Sequence, residues 1–328
     1  MSAILVLGGA GYIGSHACKE IRKAGHLPVV LDDLSTGHER AVQYGPFVQS
    51  DIADGDRVRR VIRDYEIRDV MHFAAKAYVG ESVVNPGKYF RENVAKTISL
   101  LDALVEARVE RIIFSSTCAT YGIPDSLPIS ESQAQCPVNP YGETKLFAEK
   151  MLRWHGQAHG LQSVALRYFN AAGADPDGEL GESHNPETHL IPCAIQAAHG
   201  QMEHLDIFGT DYPTPDGTAI RDYTHVSDLA RAHVLALEYL RQGGESTALN
   251  LGTGRGYSVM QVVDAVSAAS SQQVPVKLKP RRAGDPASLV ADASRARQVL
   301  GWTPEFQTLD RIVETAVNWH THSASAHA

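Results

Sequence analysis

Residues 3–24, AILVLGGAGYIGSHACKEIRKA, decide the fold. The apolar run Ala3–Leu7 has the length of a buried strand and ends at once in Gly8, Gly9, Gly11 and Gly14, where helical spacing over Gly14–Ala24 takes over. Strand, glycine turn and helix in this order are the opening of a dinucleotide-binding βαβ unit. One glycine makes the tight turn, one lets backbone N–H groups approach a pyrophosphate at the positive helix end, and Gly14 lets helix and strand pack closely. Glycines that merely join a strand to a helix are the bland alternative, and the correct order of all three parts counts against it. Asp32 ends the second apolar run, 18 residues after Gly14, where a carboxylate accepts hydrogen bonds from adenosine ribose hydroxyls. That points to NAD as cofactor, because Asp32 and Asp33 would repel a 2′-phosphate; Arg40 is the nearby cation that argues the other way. Asp51 and Ile52 follow a third short extended run and either cap a turn or contact the adenine.

Working outward, strand-length apolar runs recur at Pro28–Leu31, Val70–Phe73, Ile112–Phe114 and Val164–Phe169. Helical spacing fills Asn93–Ala107 and Tyr141–His155 between them. Buried strands alternating with covering helices predict an α/β protein: a doubly wound parallel (Rossmann) sheet whose ligands sit outside the carboxyl ends of the strands. After Asn170 the texture changes to Gly/Asp/Pro/His-rich loops, 171–188 and 210–217, which suit a smaller α/β substrate-binding lobe. Val226–Leu240 then reads as a helix and Ala248–Leu251 as a strand that rejoins the first sheet. The expected division is 1–169 with 219–251 for the NAD-binding domain, and 170–218 with 252–328 for the discontinuous substrate lobe.

Composition sets limits on partners. A net charge of −8 without any Lys/Arg-rich block argues against nucleic acid and anionic membrane surfaces. Cys18, Cys118, Cys136 and Cys193 are scattered, without a C-x-x-C pair, as expected of reduced thiols in a soluble cytoplasmic protein. No run approaches a membrane-spanning length, and the first apolar run is too short for a secretion signal. The His-rich end, His320–Ala328, reads as an unstructured terminus, and no metal site is expected anywhere.

The reactive pattern lies at the strand ends. Tyr141 and Lys145 are four residues apart at the start of a predicted helix and so share one face. A free phenol ionises near pH ~10, and a neighbouring ammonium with an oxidised nicotinamide would favour its phenolate, making Tyr141 a general base. The fifth strand ends in Ser115-Ser116-Thr117, which puts a hydroxyl at the carboxyl edge, where it can bond a substrate alcohol or ketone. Each piece has an ordinary reading, an amphipathic helix surface or a helix cap. The ordered set of glycine turn, Asp32, Thr117, Tyr141 and Lys145 is far harder to obtain by chance.

At this point the chain resembles the extended short-chain dehydrogenase/reductase family over nearly its whole length, and within it the nucleotide-sugar 4-epimerases. The similarity rests on GGAGYIGS (8–15), HFA (72–74), VGESV (79–83), FSSTCATYG (114–122), PYGETK (140–145) and RYFNAAG (167–173). Later segments are also similar: FGTDYPTPDGT (208–218), RDYTHVSD (221–228), NLGTG (250–254) and RAGD (282–285). The resemblance implies reversible 4-epimerisation of UDP-galactose and UDP-glucose through a transient 4-keto sugar, in a homodimer paired through the helices at 93–107 and 141–155. Thr117 and Tyr141 would handle the C4 hydroxyl proton, while Lys145 holds the nicotinamide ribose. It implies an NAD site of Gly8, Gly11, Tyr12, Ile13, Gly14, Asp32, Asp51, Ile52, Phe73, Ala74, Asn93, Ser115, Tyr141, Lys145 and Tyr168. Around the UDP-sugar it implies Thr117, Tyr141, Phe169, Asn170, His189, Leu190, Phe208, Arg221, Arg282, Asp285 and Leu289, with the two arginines clamping the diphosphate.

Related dehydratases place Asp-Glu directly after the threonine to eliminate water; Cys118-Ala119 stand there instead and can do no carboxylate chemistry. Three departures bear on the substrate: His189-Leu190 where some members have Asn-Leu, a lysine displaced to Lys76, and the bulky Leu289 where the family varies the residue that limits sugar size. Leu289 is expected to disfavour N-acetylated sugars. Two alternatives stay open: a 4-epimerase of another UDP-sugar, such as a pentose, uronic acid or N-acetylhexosamine, and a catalytically silent NAD binder, against which the intact trio speaks.

Overall fold

The structure is a computed structural model and describes residues 1–282 and 284–325. In the first part of the chain the strands are β1 (Ala3–Leu7), β2 (Leu27–Asp32), β3 (Phe47–Gln49), β4 (Asp69–His72), β5 (Arg111–Thr117) and β6 (Gln162–Tyr168). Between them lie α1 (Tyr12–Lys23), α2 (Gly55–Asp64), two short helices α3 (Val79–Val84) and α4 (Pro86–Tyr89), α5 (Lys96–Glu106) and α6 (Pro140–His159). The second part runs β7 (Asn170–Ala172), α7 (Leu190–Ala198), β8 (Leu205–Phe208), β9 (Ile220–His225), α8 (Val226–Arg241) and β10 (Thr247–Leu251). It closes with β11 (Gly256–Ser258), α9 (Val259–Ser270), β12 (Val276–Lys279), β13 (Ser288–Leu289), α10 (Ser294–Leu300) and α11 (Leu309–Ser325).

The five apolar runs lie side by side in a seven-stranded sheet of order β10-β6-β5-β4-β1-β2-β3. All its pairings are parallel. Helices cover both faces, which is why the strands read as continuous rather than alternating apolar runs. In β1, Leu5 and Leu7 join the core shared with α2 and α5, while Ile4 and Val6 join the core beneath α1 and α8. The expected doubly wound sheet is therefore present, and β10 does rejoin it beside β6.

A smaller sheet carries the second lobe: β11, β9 and β13 in order, with β7 paired to β9. Residues 220–225, expected within the dinucleotide unit, supply its central strand. Its own apolar core is packed among α7, α9 and α11. Two further expectations need correction. The helix expected to run unbroken over Asn93–Ala107 begins as a π-helical turn, Phe90–Ala95, before α5. There Asn93 turns inward to bond the Lys76 backbone through both its amide atoms. The terminus expected to lack structure from His320 is helical through Ser325, held by Trp319, whose indole donates to the Glu182 carbonyl at 3.0 Å. Residues 326–328 lie outside the described residues.

Backbone contact sets the geometry of the first turn. A Cβ on Gly14 would stand 2.1 Å from the Gly8 carbonyl oxygen, and one on Gly8, at φ +79°, would stand 2.5 Å from the Ala74 nitrogen. Gly14→Ala is expected to cost about 3 kcal/mol or more of stability, the upper range of overpacking. Gly25→Ala, at φ +82° with nothing near, should cost only about 1–2 kcal/mol. Urea unfolding of both variants checks the contrast; equal losses would mean that the turn tolerates a methyl group.

Candidate active site

The glycine turn ends with Gly11 at the N-cap of α1, where no side chain takes up the first helical N–H groups. An uncapped helix start facing open backbone is suited to a pyrophosphate, so the residues present fit a dinucleotide. Tyr12 and Ile13 open the helix. Tyr12 donates its phenol to the Gly173 carbonyl at 2.5 Å and so ties the turn to the second lobe. Asp32 is buried at the end of β2. Its Oδ2 accepts from Ala10 N at 3.0 Å and its Oδ1 from Leu34 N at 2.8 Å. The carboxylate thus braces the glycine turn, and each oxygen keeps a lone pair for another donor. Arg40 reaches away to the Ser183 hydroxyl at 3.0 Å. Lys76 donates to the Ser35 hydroxyl at 2.8 Å. Asp51 accepts from Ala53 N at 2.8 Å and pairs with Lys96 at 2.7 Å, so the turn reading holds for it, with Ile52 buried beside it. Phe73 and Ala74 leave β4 with both nitrogens on the Leu7 carbonyl, at 2.8 and 3.1 Å. Asn93 spans from Lys76 to the Thr144 hydroxyl, 3.1 Å away, and pins this crossing to α6.

The reactive edge is formed by the end of β5 and the first turns of α6. Asn139 caps α6, accepting from Gly142 N, with Pro140 at the first helical position. Gly142 permits the approach: a Cβ there would stand 2.5 Å from the Ala119 carbonyl oxygen. Thr117 accepts from Ala119 N at 3.1 Å, capping a short turn as such hydroxyls do. Burial, and next the phenol of Tyr168, push the Tyr141 pKa above the usual tyrosine range, while the Thr117 hydroxyl nearby works in the opposite direction. Lys145 is buried and donates to the Ser115 carbonyl at 2.8 Å; loss of solvent lowers its pKa to about 8. The expected lowering of the phenol pKa by Lys145 is therefore not what the polypeptide alone produces, because a desolvated ammonium committed to a carbonyl gives Tyr141 little relief. Ser115 shares a short hydrogen bond with Tyr168, whose pKa burial raises to about 12.

Beneath this edge lies a network that sequence reasoning missed. Glu149 of α6 accepts from Ser116 Oγ at 2.5 Å and takes both arms of Arg167, at 2.9 and 2.6 Å. Arg167 also donates to the Tyr121 phenol at 2.8 Å, and Tyr121 donates to Asn250 at 2.7 Å. The available signal was a charged residue, Arg167, inside the otherwise apolar central run 164–169.

On the second lobe, Arg221 on β9 forms an ion pair with Asp285 and donates to the Ile220 carbonyl. The guanidinium of Arg282 lies 4.0 Å from the centre of the Phe208 ring. Asn170 opens β7 opposite Tyr223. Leu289 pairs in register with Arg221 and packs on Cys118, Tyr121, Ile129, Phe169 and Ala291, so it stands between the hydroxyl edge and the arginine. His189 is the N-cap residue of α7, directly before Leu190, and its Nδ1 lies 2.7 Å from Glu182 Oε1 and 2.9 Å from Glu187 Oε1. The expected site residues thus form three groups: the turn beside β1, the edge where β5 meets α6, and the arginine-bearing face of the second lobe.

Comparison with known proteins agrees with this arrangement. The model of the NAD dependent epimerase/dehydratase family matches residues 4–252. The UDP-glucose 4-epimerase of Rhizobium meliloti is 52% identical over 318 residues, covering 97% of each chain. The crystal structure of UDP-glucose 4-epimerase from Brucella ovis in complex with NAD superimposes with a TM-score of 0.95 at 54% identity, covering 97% of this chain and 98% of that one. A structure from Stenotrophomonas maltophila, a UDP-glucose 4-epimerase with bound NAD and formylated UDP-arabinopyranose, gives 0.95 at 40% identity and covers 99% of both chains. The chain belongs to the NAD dependent epimerase/dehydratase family.

Proposed function

We propose that this protein interconverts UDP-galactose and UDP-glucose by inversion at C4. The observation that carries the reading is the meeting of the hydroxyl-bearing end of β5 with the first turns of α6, where Lys145 donates to the Ser115 carbonyl beside Thr117 and Tyr141, followed by Cys118-Ala119 rather than by carboxylates. NAD at the glycine turn supplies a reversible hydride acceptor, so no net redox change accompanies turnover. Thr117 and Tyr141 take the C4 hydroxyl proton and return it, acting as a relay between sugar and protein. With no acid and base placed for the next carbon, the ketone formed at C4 reverts rather than losing water. Return of hydride to the opposite face requires the sugar to turn while the nucleotide stays in place. That anchoring falls to Arg221 and Arg282, whose planar forks suit a diphosphate, with Asp285 and Phe208 holding them in position.

Two coarser findings extend in the same reading. None of the described helices is long and apolar enough to cross a membrane. We place the enzyme in the cytoplasm on the strength of its four unpaired cysteines. Phe90, Ile98, Phe147 and Trp154 are exposed on the helices expected to pair, which supports a homodimer built on that face.

Purified protein given UDP-galactose and followed by NMR, without added reductant, should form UDP-glucose with no accumulation of NADH; no conversion with NAD still bound would leave a silent binder. In the same assay Leu289→Ala should improve turnover of the N-acetylated pair relative to the plain pair, and wild type acting equally on both would remove the role given to Leu289. Tyr141→Phe should lower kcat by about 10²–10⁴-fold with cofactor content unchanged; full activity would displace the proposed base. Lys145 has a native pKa of about 8 against 10.5 for the ordinary group, so the native state binds fewer protons than the unfolded chain between those values. Stability of wild type relative to Lys145→Met should therefore rise across that window, by on the order of 3 kcal/mol. Chemical unfolding of cofactor-free protein at pH 7.5 and 10, both ~ values, measures it; a flat difference would mean that Lys145 is not strained by burial.

A further inference from the structure

The segment Glu182-Ser-His184-Asn-Pro-Glu187-Thr-His189 lies between the glycine turn and α11 and takes no part in the proton relay. No metal was expected anywhere in the chain, this segment included. The fold nevertheless brings one donor atom from each of its four ionisable side chains within 4.8 Å of every other. His184 Nδ1 is 3.0 Å from Glu182 Oε1 and 3.8 Å from Glu187 Oε2. His189 Nδ1 is 2.7 Å from Glu182 Oε1 and 2.9 Å from Glu187 Oε1. Tetrahedral zinc with bonds of about 2.0–2.2 Å holds its ligands about 3.4 Å apart; three of the separations here are hydrogen-bond contacts somewhat shorter than that and one is longer, so a cation would enter by opening the short contacts.

The charges point the same way. The side chains of Glu182 and Glu187 are only 5% and 4% exposed. Two buried carboxylates need two positive charges nearby. Supplied by protons, those charges would sit on two imidazoles whose ring centres are 5.0 Å apart and would repel one another. One divalent cation supplies both at a single point. The outer contacts also resemble those of a metal site, where ligating carboxylates are themselves hydrogen-bonded: Glu187 Oε1 accepts from the backbone of Thr188 and His189, at 2.7 and 2.8 Å.

We propose that Glu182, His184, Glu187 and His189 form a structural site for one divalent transition-metal cation of the zinc class. Two imidazoles and two carboxylates are a donor set that zinc accepts, and four protein ligands leave no open position for chemistry. The site fastens this segment where three parts of the chain meet. His184 packs edge-on to Tyr12 and to Tyr78. Tyr78 donates to the Pro186 carbonyl, and the indole of Trp319 to the Glu182 carbonyl. His189 is the residue directly before α7, so the cation ties the start of that helix to the segment beside the glycine turn.

The test is zinc titration of full-length enzyme with its cofactor, after EDTA treatment and desalting, followed by calorimetry and metal analysis. One zinc per chain is expected, with a Kd below about 1 µM, and a Tm raised by about 5 °C or more with metal at ~100 times Kd. Cobalt(II) in its place should give the intense visible absorption of a tetrahedral centre, a readout that needs no variant. Glu182→Gln with His184→Ala should weaken binding at least ~100-fold. A variant with His322 and His327 changed to Ala should bind as wild type, which separates this site from the histidines at the chain end. Less than stoichiometric zinc, a cobalt spectrum without tetrahedral bands, or binding lost with the terminal histidines instead would each overturn the proposal and leave a purely ionic cluster.

Discussion

Backbone pressed against backbone at Gly8 and Gly14 is the constraint on which the remaining structure depends. The helix after β1 can begin where it does only because no Cβ lies between Gly14 and the Gly8 carbonyl, or between Gly8 and Ala74. That proximity aims the uncapped N–H groups of α1 across the ends of β1 and β4, and it lets the Asp32 carboxylate reach back to Ala10. With the turn fixed by the main chain, Thr117, Tyr141 and Lys145 have only to reach one edge of the sheet. The arrangement draws on the general property of doubly wound sheets, whose strand ends and helix starts open on the same side.

The hydroxyls at the end of β5 depend on polar burial rather than on apolar packing. Glu149 and Arg167 are nearly enclosed, and a buried pair of charges is tolerable only when its remaining donors and acceptors are satisfied. Ser116, Tyr121 and Asn250 provide those bonds and connect β5, α6, β6 and β10 into one unit. The consequence for function is positional: Ser115 to Thr117 and the start of α6 cannot move independently, so the Thr117–Tyr141 pair is held in place before any ligand arrives. The cost of burial is visible in the raised pKa of Tyr141 and the lowered pKa of Lys145.

The second lobe is organised differently. Its central strand β9 carries Arg221 and is bordered by β13 with Leu289, so these two side chains are set beside each other by one register. Asp222, fully buried, accepts from the backbone of Thr253, Gly254 and Ala291 and thereby joins β9 to the segments after β10 and β13. Sequence reasoning put Leu289 in the substrate lobe but β9, with Arg221, in the other part, because a strand whose partners lie tens of residues away on either side leaves no local trace of its sheet.

Local order was legible from the sequence wherever it is enforced by local physics. Apolar runs bounded by glycine or by capping residues defined the strands, a 3.6-residue period defined the helices, and the glycines of the first turn defined the dinucleotide end of the sheet. The residue types at 117, 141 and 145 determined which chemistry is available and, with Cys118-Ala119, which is not. Only the tertiary structure decided how charge is distributed among them. Burial, the commitment of Lys145 to a carbonyl, the Glu149–Arg167 network and the meeting of two histidines with two glutamates all depend on distances between segments that a linear pattern does not contain. The strength of an electrostatic interaction follows from separation and solvent exposure, and both are set when the chain has closed on itself.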